Sequence, residues 1–194
     1  MKHTIKQFFL ILSVVGSAST IGYTQTKPEK SIPVPDFQNT LMFVNADNTL
    51  SNLEKVTVGI TRKRGIGLIA NPVKTYLQID GCCSPSVHSG RPTNRFIVKV
   101  APGIDPESIF ELFKFELIDN NRKLLIGDVS TAKALSGKTQ PVITPIRMNV
   151  TKIAEGVYAF SPMEQLPIGE YVFIKDRLSN TMNNKVGFAF AVGQ

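Results

Sequence analysis

Apolar residues along this chain come in short runs, and in many of these runs every second position is apolar. Phe96, Val98 and Val100 follow a period of two, which is the spacing of a half-buried β-strand. The same period recurs over residues 113–117, and an Asp-Asn-Asn sequence of the kind that forms hairpin turns follows at residues 119–121. The pattern therefore predicts strands rather than long helices.

Gly, Pro and Asn divide the chain after residue 37 into roughly ten such runs, a spacing typical of an all-β sandwich or barrel. The segment Leu166-Pro167-Ile168-Gly169-Glu170-Tyr171 favours an immunoglobulin-like β-sandwich, with a small β-barrel as the alternative. In such sandwiches a Tyr at the start of a strand donates its hydroxyl to the upstream backbone at a corner. Gly169 and Tyr171 are accordingly predicted to be structural residues, and the acceptor is expected near Leu166.

The first 18 residues have the layout of a secretory signal peptide. Lys2 and Lys6 precede an apolar stretch at residues 8–15, and small residues follow up to Ala18, after which cleavage is expected. The apolar stretch is too short for a transmembrane helix, which takes about 20 residues. We therefore expect export to the periplasm or the extracellular space, no transmembrane span, a linker over residues 19–36 and a single β-sandwich domain over residues 37–194.

Basic residues are concentrated in one part of a chain whose formal net charge is +7. Residues 55–104 contain eight basic side chains and a single acid, Asp80. These cations either lie on solvated loops and strand faces or form a surface for an anionic envelope polymer, a lipid head group or an acidic protein. Nucleic acid is not expected as a partner, because no recognition motif accompanies the charge. The candidate binding residues are Arg62, Lys63, Arg64, Lys74, Arg91 and Arg95.

His88 is the only histidine after residue 18, so any Ser-His-Asp or Cys-His mechanism must use it. Cys83 is near it in a sequence rich in Ser, Pro and Gly, which is typical of a loop. Two Cys and one His leave one position of a tetrahedral zinc site unfilled, and adjacent Cys lack the usual spacer. The sequence predicts no catalytic residues, no metal site and no cofactor.

Cys82 and Cys83 are adjacent in a chain that we expect to enter an oxidising compartment. They can form a strained vicinal disulfide, form two intermolecular bonds or stay as buried thiols. Gly81 and Pro85 indicate a tight turn here, which favours the vicinal disulfide. A redox role would require that bond to be labile.

Several short motifs between Gly81 and the C-terminus form a further pattern. They are Ser84 after a Gly, the Phe96 strand, Leu112 to Leu117 followed by Arg122, Gly156-x-Tyr158, Leu166-Pro167-x-Gly169-Glu170-Tyr171 and the terminal Phe190-Ala191-Val192-Gly193. The pattern resembles a group of uncharacterised exported bacterial proteins that are rich in β structure. This resemblance implies an envelope or secreted β-protein with no assigned activity, and it does not extend to Cys82 and Cys83.

The lack of a catalytic constellation favours a non-catalytic exported β-sandwich protein of the bacterial cell envelope, with a binding or structural role. One alternative is a binder of anionic polymer or lipid through the basic residues 55–104. The other is a thiol/disulfide redox or hydrolytic enzyme that uses Cys82, Cys83 and His88.

Overall fold

The computed structural model describes residues 33–65, 72–129, 143–175 and 184–193 of the chain. The predicted signal peptide, residues 1–18, and most of the predicted linker, residues 19–32, lie outside the described residues. Within the described ranges there is one 3-10 turn, Pro106–Ser108, and no helix is long and apolar enough to cross a membrane. The strands are β1 Leu41–Val44, β2 Leu50–Asn52, β3 Glu54–Arg64, β4 Val73–Ile79, β5 Val87–His88, β6 Arg95–Lys99, β7 Phe110–Ile118, β8 Asn121–Val129, β9 Met148–Ala154, β10 Val157–Pro162, β11 Gly169–Lys175 and β12 Lys185–Val192.

These strands form two sheets. The small sheet has five antiparallel strands in the order β2-β1-β6-β10-β9. The large sheet has the order β11-β7-β8-β4-β3-β12, and β12 pairs again with β11, so that these six strands close into a barrel. The two residues of β5 add in parallel to the end of β12. The predicted all-β class is confirmed, and the fold combines a small barrel with a second sheet.

A layer of aromatic rings joins the small sheet to the barrel wall. The ring centroid of Phe96 on β6 lies 5.0 Å from that of Phe173 on β11 and 4.9 Å from that of Phe190 on β12. Val172 and Ile174 alternate with Phe173 and pack instead in a second cluster, inside the barrel. Because β11 is buried on both faces, its residues 171–174 form an unbroken apolar run rather than an alternating pattern.

Tyr171 lies on the face of β11 that meets the small sheet. It is fully buried, and its hydroxyl donates to the carbonyl oxygen of Pro167 at 2.6 Å. This is the expected bond to the upstream backbone, with its acceptor at Pro167 instead of Leu166. The backbone N–H of Leu166 donates at 2.7 Å to the carbonyl of Gly90, which joins this corner to the segment that follows β5.

Tyr171→Phe is expected to lower the free energy of unfolding by about 1–3 kcal/mol, because it leaves a partly buried carbonyl without its donor. Tyr158→Phe is the matched control, since Tyr158 is half-buried on β10 and its hydroxyl has no hydrogen-bond partner among the described residues. The control should change stability by less than about 0.5 kcal/mol. Denaturant titrations followed by circular dichroism would measure both values, and equal stabilities would show that the corner bond adds nothing.

Candidate functional site

Three charged side chains lie inside one end of the barrel: Glu54 on β3, Arg122 on β8 and Glu170 on β11. On each strand the residue two positions further along packs in the interior cluster, so strand alternation directs all three inward. Arg122 is 2% exposed, and its two Nη atoms donate to the two carboxylate oxygens of Glu54 at 2.7 and 3.0 Å. Its Nη1 also lies 3.8 Å from Oε2 of Glu170. We call these three residues the charged cluster.

The pKa values of the two carboxylates in the charged cluster are shifted in opposite directions. Burial alone would raise the pKa of Glu54, but hydrogen bonds from Arg122 and Ser84 outweigh it and hold that pKa below its ordinary value. Burial raises the pKa of Glu170, and the backbone N–H of Ser84 and the charge of Arg122 only partly oppose this. Glu54 is therefore the main ion-pair partner of Arg122. The pairing of Arg122 with Glu54 has the geometry of a structural ion pair, and it requires no catalytic role for the three residues.

Cys82 and Cys83 lie in the loop that joins β4 to β5, close to the charged cluster. The backbone N–H of Ser84 donates to Oε2 of Glu170 at 3.0 Å and fixes the end of this turn. Both cysteines are free thiols in the structure, so the vicinal disulfide stays a prediction. Cys83 is exposed, and a hydrogen bond with the Cys82 thiol raises the pKa of its own thiol.

His88 belongs to β5, whose backbone is hydrogen-bonded to the end of β12. Its ring stacks on that of Phe43, with centroids 3.7 Å apart and planes inclined by 19°. Its Nε2 lies 3.0 Å from Oγ of Ser86, a partner that sequence reasoning, which paired His88 with Cys83, did not identify. Burial lowers the pKa of His88, so the ring is neutral at pH 7. Within the described ranges no carboxylate is hydrogen-bonded to the imidazole, and the Ser-His pair lacks the third member of a triad.

A polar cavity of about 450 Å³ lies beside His88, between the β1–β2 turn and the segment that leads from β5 into β6. Arg91 and Arg95 line it, and neither guanidinium has an ion-pair partner among the described residues. None of the described residues that line the cavity carries a carboxylate. We call this cavity the polar pocket, and its uncharged polar lining residues are Asn45, Asn48, Ser89, Thr93 and Asn94.

The other predicted binding residues lie far from the polar pocket. Arg62, Lys63 and Arg64 end β3, and Lys74 on β4 pairs in register with Lys63. β5 adjoins the opposite end of β3, since Glu54 and His88 line one shallow cavity. The length of β3 separates the two groups by about 30 Å. Lys63 is moreover ion-paired with Asp119, so the structure does not bring the six predicted cations to one site.

No protein family, curated protein or solved structure matches this chain. In the part of the chain that the structure describes, no group of three or more His, Cys, Asp or Glu side chains could hold a metal ion.

Proposed function

We propose that this protein is a non-catalytic, exported binding protein of the bacterial cell envelope, and that its polar pocket binds anionic groups of an envelope polymer. The observation that carries the proposal is the convergence of Arg91 and Arg95 on one cavity whose described lining contains no carboxylate. Asp47, which lies between the lining residues Asn45 and Asn48 in the sequence, accepts hydrogen bonds from the backbone N–H and the hydroxyl of Thr49 at 2.9 and 2.6 Å.

The chemistry of the lining suits an anion that carries further polar groups. A guanidinium can donate two parallel hydrogen bonds to a carboxylate, sulfate or phosphate. The amides of Asn45 and Asn94 are hydrogen-bonded to Thr49, Ser51 and Ser89. Each keeps a second N–H and a second lone pair, which suit the hydroxyl groups of a sugar or polyol unit. His88 is neutral and stacked on Phe43, so it offers a flat apolar face to the ligand rather than a charge.

The surroundings of the His88 imidazole and the Cys83 thiol support a binding role better than a catalytic one. His88 has Ser86 as its hydrogen-bond partner and no carboxylate bonded to it in the described ranges. The pKa of the Cys83 thiol is raised. The Cys83 thiol is therefore not activated as a nucleophile, and within the described ranges the neutral imidazole of His88 lacks a carboxylate that would orient it as a base.

The Arg91→Ser/Arg95→Ser double variant is expected to bind an anionic polymer at least about tenfold more weakly, since each lost charge-assisted hydrogen bond weakens binding substantially. The probes are polygalacturonate, which carries carboxylates, and polyphosphate, measured by isothermal titration calorimetry at physiological salt. The matched control is Arg62→Ser/Arg64→Ser, which removes the same charge from the far end of β3. If both double variants lose affinity equally, net charge alone explains the binding and the pocket is not the site.

A further inference from the structure

An apolar groove runs along the edge of the interface between the small sheet and β7 of the barrel. Two adjoining cavities of about 410 and 350 Å³ form it, and their walls share Ile146, Arg147 and Met163. Each volume lies in the range of about 300–1,000 Å³ that is common for small-molecule sites. We call the two cavities together the seam groove.

The floor of the seam groove is the open edge of the hydrophobic layer between the sheets. Leu112, Phe160 and Leu166 line it and belong to the core cluster that joins the small sheet to the barrel. Ile146 lies beside β7 in an antiparallel bridge with Leu112, whose carbonyl accepts a hydrogen bond from the backbone N–H of Ile146 at 2.8 Å. At the rim, Met163 is 52% exposed. An apolar ligand seated here would remove this surface from water and extend the existing core.

Charge is distributed unevenly between the two cavities. Lys114 follows Leu112 by two positions on β7, so it projects from the same face, and its Nζ lies 5.9 Å from the ring centroid of Tyr171. Lys114 and Arg147 line the first cavity together with one carboxylate, Glu164. The second cavity has two carboxylates in its wall, Glu107 and Glu111. Arg147 lines both cavities, so basic side chains outnumber carboxylates in the first and carboxylates outnumber basic side chains in the second. An anionic head group is therefore favoured at the first cavity over the second.

We propose that the seam groove binds a long-chain carboxylate of the fatty-acid class. Its carboxylate lies between Lys114 and Arg147, and its hydrocarbon chain lies on the apolar floor towards the second cavity. Charge complementarity at one end and an apolar floor along the rest are the two features that such an amphiphile requires. This site is separate from the polar pocket, and the proposal does not depend on the function proposed for that pocket.

The test compares dodecanoate with dodecanol, which has the same chain and no charge, by isothermal titration calorimetry below the concentration at which either aggregates. The Lys114→Met/Arg147→Met variant should bind dodecanoate about tenfold more weakly, because it loses charge-assisted bonds. Its binding of dodecanol should change less than about twofold, since the apolar floor is intact. Met163→Asp places a charge at the rim and should weaken the binding of both compounds.

Two controls separate this proposal from a general effect of charge and from the polar pocket. Arg62→Met/Arg64→Met removes equal charge away from the groove, and Arg91→Ser/Arg95→Ser alters the polar pocket; both should bind dodecanoate like the parent protein. The proposal is overturned if dodecanoate does not bind saturably, or if the Lys114→Met/Arg147→Met variant binds it unchanged. Binding to phosphatidylglycerol vesicles without binding of monomeric dodecanoate would overturn it too, because the surface would then recognise a membrane.

Discussion

Arg122→Met is expected to lower the free energy of unfolding by about 3–5 kcal/mol, the usual effect of removing one partner from a buried ion pair. The substitution keeps an unbranched, mainly aliphatic side chain but removes the guanidinium, and so leaves Glu54 and Glu170 in the barrel without their cation. Urea titrations of the parent and the variant would measure the loss. Lys152→Met is the control, since its ion pair with Glu155 is exposed to solvent and should contribute little to stability.

A triple variant, Arg122→Met/Glu54→Gln/Glu170→Gln, tests the cause of this loss. It removes all three charges, so it should regain much of the stability that Arg122→Met loses. If the triple variant is no more stable than the single one, uncompensated charge is not the cause.

The pH dependence of the same variants has a definite sign. In the parent protein the pKa of Glu54 is lowered, so the stability that Glu54 contributes is present above its unfolded-state pKa and is lost as pH falls through its folded-state pKa. In Arg122→Met, burial without the cation raises the pKa of Glu54, and the folded state takes up protons more readily than the unfolded chain. The stability difference between parent and variant should therefore shrink as pH is lowered from 7 towards 4.

Phe96→Ala is expected to cost about 3–5 kcal/mol of unfolding free energy, the usual loss for a buried Phe. Phe96 is 1% exposed and lies at the centre of the aromatic layer, with the ring of Phe43 5.5 Å away in an edge-on arrangement. The space left by its ring cannot close easily, because strands of both sheets hold the surrounding rings in place. Phe37→Ala removes a ring that is 75% exposed and should change stability by less than about 0.5 kcal/mol. Denaturant unfolding of the two variants would decide, and equal losses would mean that the aromatic layer does not hold the sheets together.

Local elements of the fold follow from the sequence. The period of two at residues 94–100 corresponds to β6, and the alternation at 113–117 lies within β7. The hairpin turn predicted at residues 119–121 is confirmed: Asp119 and Asn120 have φ values of 51° and 57°, and Ile118 pairs with Asn121. Neighbouring residues decide these features, because side-chain alternation and tolerance of positive φ are local properties.

The charged cluster and both cavities depend on pairings that no local pattern specifies. Arg122 and Glu54 are 68 residues apart in the sequence. The alternation along each strand predicts only that each side chain points into the barrel, and it does not predict that the two side chains meet. The seam groove likewise combines Lys114 on β7 with residues around 146 and 163–167. The basic residues of segment 55–104 look like one group in the sequence, but β3 holds Arg62 and Arg64 about 30 Å from the polar pocket.

The sequence by itself determined the all-β class, the hairpin turn between β7 and β8 and the bond of the Tyr171 hydroxyl to the upstream backbone, because each depends on residues close together along the chain. It also identified His88 and the two arginines that line the polar pocket, although it could not separate Arg91 and Arg95 from the other cations. Only the tertiary structure decided the closure of six strands into a barrel, the pairing of Arg122 with Glu54 and the shapes of the two cavities. These features require contacts between distant strands, and such contacts are selected by packing of the whole core rather than by any one segment.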